Sequence, residues 1–158
     1  MLSFSAAHEL VVLAFPVVNP GKELCNIGDE FDYDFNWCQE MLLSAPWPDI
    51  TLDTLLRSRE CPIYLSHEQL AFCLPAYLDA ALLLVKERNL DYLNDCLMFL
   101  QLTVYDTSIV IPQLNVSQRD AISAVLEIIA GYFASIGESD DSQKWQRYAS
   151  WWSTRPGS

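Results

Sequence analysis

The run Asp29-Glu-Phe-Asp-Tyr-Asp-Phe-Asn36 is the densest group of oxygen ligands in the chain. From Asp32 it reads Asp-x-Asp-x-Asn, the first half of an EF-hand calcium loop, where alternate positions supply carboxylate and amide oxygens. The second half departs from that loop. Trp37 stands where the sharp turn needs glycine, and Leu43 where the bidentate glutamate belongs. The run therefore reads as a solvated acidic face or as a docking surface for a basic partner. His67-Glu-Gln-Leu-Ala71 begins like the zinc motif HExxH, but its second ligand position is Ala71. His8 and His67 are the two histidines of the chain, too few for a His-rich zinc site. Nucleophilic chemistry would pair a cysteine or serine with one of them, and no local signature marks such a pair. There is no glycine-rich phosphate loop among the 5 glycines. No metal, cofactor or catalytic residue is expected from these patterns.

The balance of charge narrows the partners. Against 21 acids stand 9 bases, a net charge of −12. Such a field repels phosphate backbones and anionic bilayers, so neither nucleic acid nor membrane is expected as a direct partner. The asymmetry is local as well: residues 1–56 carry −8 of that total, with Lys22 as their single base. The 5 cysteines are odd in number and form no CxxC pair. With Cys38, Cys73 and Cys96 inside apolar helical patterns, they read as free thiols of a reducing cytoplasm. The first residues lack a basic n-region, and the apolar stretch Leu10–Phe15 ends at Pro16, so no signal peptide is expected.

Apolar residues make up 51% of 158, enough to close one core. The expected fold is all-α, a single-domain bundle of about six or seven helices over residues 1–153 with a flexible tail at 154–158. Ser5 can cap a first helix that Pro16 and Asn19-Pro20-Gly21 stop. A second helix is expected over about 34–44, and Thr51 can cap a short Leu-rich one. Ser66-His-Glu-Gln69 fits a capping box opening a long central helix, with Pro75 predicting a kink or a restart at Leu74-Pro75. Asp91 can open a further helix to about Thr103, and Ser108–Asn115 reads as an extended connector. Ser117-Gln-Arg-Asp120 looks like another capping signal, and Asp140 or Asp141 can cap a last helix rich in tryptophan. Trp151 and Trp152 are adjacent and point about 100° apart, so both cannot easily face the core.

The segment Leu65–Leu82, with Phe72-Cys-Leu-Pro-Ala-Tyr-Leu78 at its centre, resembles a family of small acidic bacterial helical proteins of unknown function. Trp47 in a turn before a Leu-rich helix, and Ser117-Gln-Arg-Asp120, are similar to features of that family. The likeness covers roughly residues 6–136, and the Trp-rich last helix looks like an addition. It implies a helical fold and no agreed activity. In general character, small and acidic, the chain also resembles immunity proteins that occlude bacterial toxins.

Two functions follow as expectations. The first is an interaction protein, most concretely an immunity protein that binds a basic toxin domain. Its partner-binding residues would be Asp29, Glu30, Asp32, Asp34, Glu40 and Trp47. The second is a small enzyme or ligand-binding domain using a carboxylate pair or a Cys/His pair. Acids spread over an outer face favour docking; acids converging in a cavity favour chemistry.

Overall fold

The computed structural model describes residues 2–24, 33–104 and 114–154. It is an all-α single-domain bundle. The helices are α1 (Phe4–Ala14), α2 (Gly21–Leu24), α3 (Tyr33–Leu42), α4 (Leu52–Arg57), α5 (His67–Lys86), α6 (Leu90–Val104), α7 (Val116–Ser135) and α8 (Ser139–Thr154), with 3-10 turns at Trp47–Asp49 and Cys61–Tyr64. The long elements match the expected ones, and α2 is a single added turn that starts on Gly21 at φ +66°.

Local chemistry sets most of the boundaries. Ser66 and Gln69 form the expected capping box, and Thr51 caps α4. Three caps fall elsewhere than expected. Ser3, not Ser5, opens α1, because its extended backbone lets the hydroxyl accept from the Ala6 N–H. Asn89 rather than Asp91 caps α6, its amide oxygen accepting from the Tyr92 N–H. Asn115 and Gln118 form a reciprocal capping box on α7, so the helix begins before Ser117. Each displaced cap is a short polar side chain lying just upstream of the one expected.

Two helices end on a left-handed residue. At Gly137 (φ +82°), the Glu138 N–H reaches back to the Phe133 carbonyl and the Gly137 N–H to Ala134, a Schellman closure that turns α7 into α8. The same pattern ends α5, where Asn89 N–H bonds Leu84 and Arg88 N–H bonds Val85. There the left-handed residue is Arg88 itself, at φ +57°. A side chain in this region costs about 1 kcal/mol that glycine would not. Its guanidinium lies over the Tyr132 ring, 5.2 Å from the centroid, a cation–π contact that offsets part of the cost.

The core is centred on α5, which packs on α1, α4, α6 and α7, while α7 and α8 form an antiparallel hairpin behind it. The helix runs through Pro75 without restarting, and Pro75 itself is buried. The irregularity reduces to a single carbonyl, Ala71, left without its helical N–H partner. By length and composition α5 could cross a membrane, but 72% of its apolar window is buried in the bundle. Around it sit Leu70, Leu74, Leu78, Leu84, Leu93, Phe99 and Leu100, all essentially inaccessible. Tyr77 stacks on Phe99 and donates its hydroxyl to the Leu55 carbonyl at 2.8 Å. Tyr77→Phe should therefore cost about 1 kcal/mol, the net value of one buried hydrogen bond. A urea unfolding curve unchanged by the substitution would contradict that role.

The tryptophans divide as their spacing demands. Trp145 and Trp152 are buried, the latter donating its indole N–H to the Val104 carbonyl at 2.9 Å. Trp151, about 100° further round the helix and edge-on to the Trp152 ring at 5.0 Å between centroids, stays partly exposed. The last helix includes Thr154, and residues 155–158 of the expected tail lie outside the described residues. So does most of the expected connector, residues 108–113.

The reading of every cysteine as a free thiol is corrected. Cys38 of α3 and Cys61 of the second 3-10 turn form a disulfide, their Cα atoms 5.7 Å apart. Cys38 does lie on the buried side of its helix, as the apolar spacing indicated. What the spacing could not show is that the chain returns Cys61 to face it. This bond removes the free-thiol argument for a reducing compartment. Cys73 and Cys96 are free and fully buried, as expected, and Cys25 lies outside the described residues.

Burial pushes the Cys73 thiol from 9.0 up to about 12, and desolvation raises Cys96 further still. In the unfolded chain these thiols ionise near their ordinary value, whereas in the fold they stay neutral. Stability should thus be complete below pH 9 and fall as the pH climbs from there towards 12. Both residues should also resist alkylation at pH 8 until the protein unfolds. Rapid labelling of native Cys73 or Cys96, read by peptide mass, would contradict this burial.

Candidate functional site

Asp34 and Glu40, on α3, are both exposed, and so are Asp49 at the end of the first 3-10 turn and Asp53 on α4. Asp29, Glu30 and Asp32 lie outside the described residues. Trp47 is not exposed with the described acids. It is 4% accessible and donates its indole N–H to the Phe15 carbonyl at 2.9 Å. Its ring forms part of a groove wall instead. The structure thus separates the tryptophan from the acids that the sequence grouped with it.

Two fastenings hold α3 on the bundle. One is the disulfide to Cys61. The other is the next residue, Gln39, whose buried amide exchanges hydrogen bonds with the Gln69 amide at 2.9 and 2.7 Å. Gln69 also accepts from the Ser66 N–H and donates to the Leu24 carbonyl at 2.8 Å. A single side chain therefore closes the α5 cap, grips α3 and ties down α2. These polar links act beside apolar packing, since α3 also buries Leu42 in the core and packs on α4 and the second 3-10 turn.

No described carboxylate is buried. Ion pairs engage few of them: Arg57–Asp53 at 3.1 Å, Arg59–Asp95 at 3.6 Å, Lys144–Asp141 at 3.5 Å, and His8–Asp79. Among the described residues no group of three or more His, Cys, Asp or Glu side chains could hold a metal.

The second region is a groove of about 490 Å³ between α1, α5, α4 and the first 3-10 turn. Its floor is apolar, with Leu52, Leu55, Ala76 and Ala80, and its polar groups are Ser5, His8, Asp79 and Lys86. His8 Nδ1 meets the Asp79 carboxylate across the α1–α5 contact. Ser5 precedes His8 by one helical turn and lines the same groove. The sequence signalled half of this: Ser5 and His8 share a helical face. Their carboxylate lies 71 residues away, on a different helix, and nothing local announces it.

Cys38 and Cys61 are oxidised to each other, Cys73 and Cys96 are sealed in the core, and His8 and His67 are exposed. Among the described residues no thiolate meets an imidazole. No protein-family model, curated protein or solved structure matches the chain.

Proposed function

We propose that this is an interaction protein whose acidic face docks a basic partner, in the manner of an immunity protein that occludes a toxin domain. The observation that supports it is the distribution of carboxylates. Among the described residues none is buried, and the two that face an imidazole or ammonium in a groove, Asp79 and Asp141, are engaged by His8 and Lys144. An array of open carboxylates at low internal compensation attracts cationic surfaces over several ångströms and raises encounter rates. Asp34, Glu40 and Asp49 are its described members, and Asp29, Glu30 and Asp32 extend it in sequence. The partner is a basic protein, since phosphate-bearing nucleic acid and anionic bilayers share the sign of this field.

An immunity role makes a direct genetic test available. Expressed alone, the product of the adjoining reading frame should arrest growth, and co-expression with this chain should restore it. A neighbour that is harmless alone, or whose toxicity this chain does not relieve, counts against the immunity reading. Affinity capture with Asp34→Asn/Glu40→Gln/Asp49→Asn tests the wider one. These substitutions should change folding by under about 1 kcal/mol each, because exposed charges contribute little, yet the variant should retain much less of the basic partner at low salt.

A further inference from the structure

A second groove, of about 310 Å³, adjoins the one beside His8. The two meet at Phe4 and Lys86, which line both, the first lying between α1, α4 and α5 and the second between α1, α5 and α7; the adjoining pair is the trough. Its chemistry runs against that of the rest of the surface. In a chain of 21 acids and 9 bases, the trough is lined by two cations, Lys86 and Arg88, against one carboxylate, Asp79. That carboxylate is occupied by His8. The cations stand over apolar ground, with Leu2, Phe4 and Leu83 all partly exposed along it. Arg88 is also the residue held in left-handed backbone where glycine would close the helix more easily. Its placement over Tyr132, on the wall of the second groove, gives that strain a use at the trough.

We infer that this trough binds a long-chain aliphatic carboxylate, its head group between Lys86 and Arg88 and its chain over Leu83, Ala80, Ala76 and Leu55. The direction of binding is set by charge. Lys86 and Arg88 stand at the C-terminal end of α5, whereas the lining from α4 and the first 3-10 turn is Trp47, Pro48, Ile50, Leu52 and Leu55, which leaves apolar ground for the tail. A cavity of this size with a few polar groups at one end is typical of small-ligand sites. The trough lies apart from α3, so the inference does not depend on protein docking.

The test is titration with dodecanoate below its micelle concentration, followed by displacement of a fluorescent apolar probe and by heat release. One saturable site is expected, with dodecyltrimethylammonium, of equal chain length and opposite charge, failing to compete for it. Lys86→Glu should weaken dodecanoate binding at least about tenfold, which is 1.4 kcal/mol. Leu83→Glu, at a position 46% exposed and so compatible with folding, should weaken it similarly; circular dichroism would verify both folds. Affinity unchanged in either folded variant would overturn the inference. So would tighter binding of the cationic amphiphile at the same site, or binding seen with anionic vesicles but not with monomeric dodecanoate.

Discussion

Reduction of the Cys38–Cys61 bond should lower the unfolding free energy by about 3 kcal/mol. The bond closes a loop with a sequence separation of 23 residues, and loss of that closure returns conformational freedom to the unfolded chain. The closed loop contains the first 3-10 turn and α4, and it fixes one side of α3. Urea unfolding with and without reductant reads the difference, and Cys38→Ala/Cys61→Ala should reproduce the reduced value without reductant. Equal midpoints in both conditions, or an unreduced mass with both thiols alkylated, would contradict the bond. Because α3 carries Asp34 and Glu40, the reduced protein should also present those charges on a looser element. Partner affinity should then fall together with stability.

Gln69→Ala should cost about 3 kcal/mol, well beyond the value of an ordinary surface glutamine. Its amide serves Gln39, the Ser66 N–H and the Leu24 carbonyl at once. Removing it breaks both bonds to the Gln39 amide, opens the α5 cap at Ser66 and releases the Leu24 carbonyl, and each such bond contributes about 0.5–1.5 kcal/mol net. The coupling can be isolated with Gln39→Leu/Gln69→Leu. Replacing both amides by apolar groups of similar size removes the contact of a buried amide with an apolar side chain, so the double variant should be more stable than Gln69→Leu alone. Strictly additive losses in this cycle would show that the two amides do not act as a pair.

These fastenings mark the boundary of what the sequence discloses. The capping box at Ser66 and Gln69 is legible because both halves lie within one helical turn, and so is the apolar helical pattern that buries Cys96. The second duty of Gln69, gripping Gln39 from 30 residues away, is not legible, because one amide looks like any other until the fold brings its partner alongside. The same limit explains the cysteines. Helical spacing correctly buries Cys38, Cys73 and Cys96, yet which thiol meets another is decided by the return of the chain at Cys61. It explains the tryptophans too: Trp151 and Trp152 diverge by simple geometry, whereas Trp47, grouped with the acids by proximity in sequence, turns inward to the Phe15 carbonyl. His8 was visible as a residue type, and its pairing with Asp79 was not.

The dependence of association rate on ionic strength tests the central claim most directly. With the captured basic partner, the logarithm of the on-rate for the native protein should fall steeply as salt rises, since long-range attraction is screened within about 8–10 Å near physiological strength. For Asp34→Asn/Glu40→Gln/Asp49→Asn the on-rate should start several-fold lower at low salt and decline along a shallower slope, the two curves meeting at high salt. Superimposable curves for the two proteins, at any salt, would contradict the claim that the acidic face does the docking.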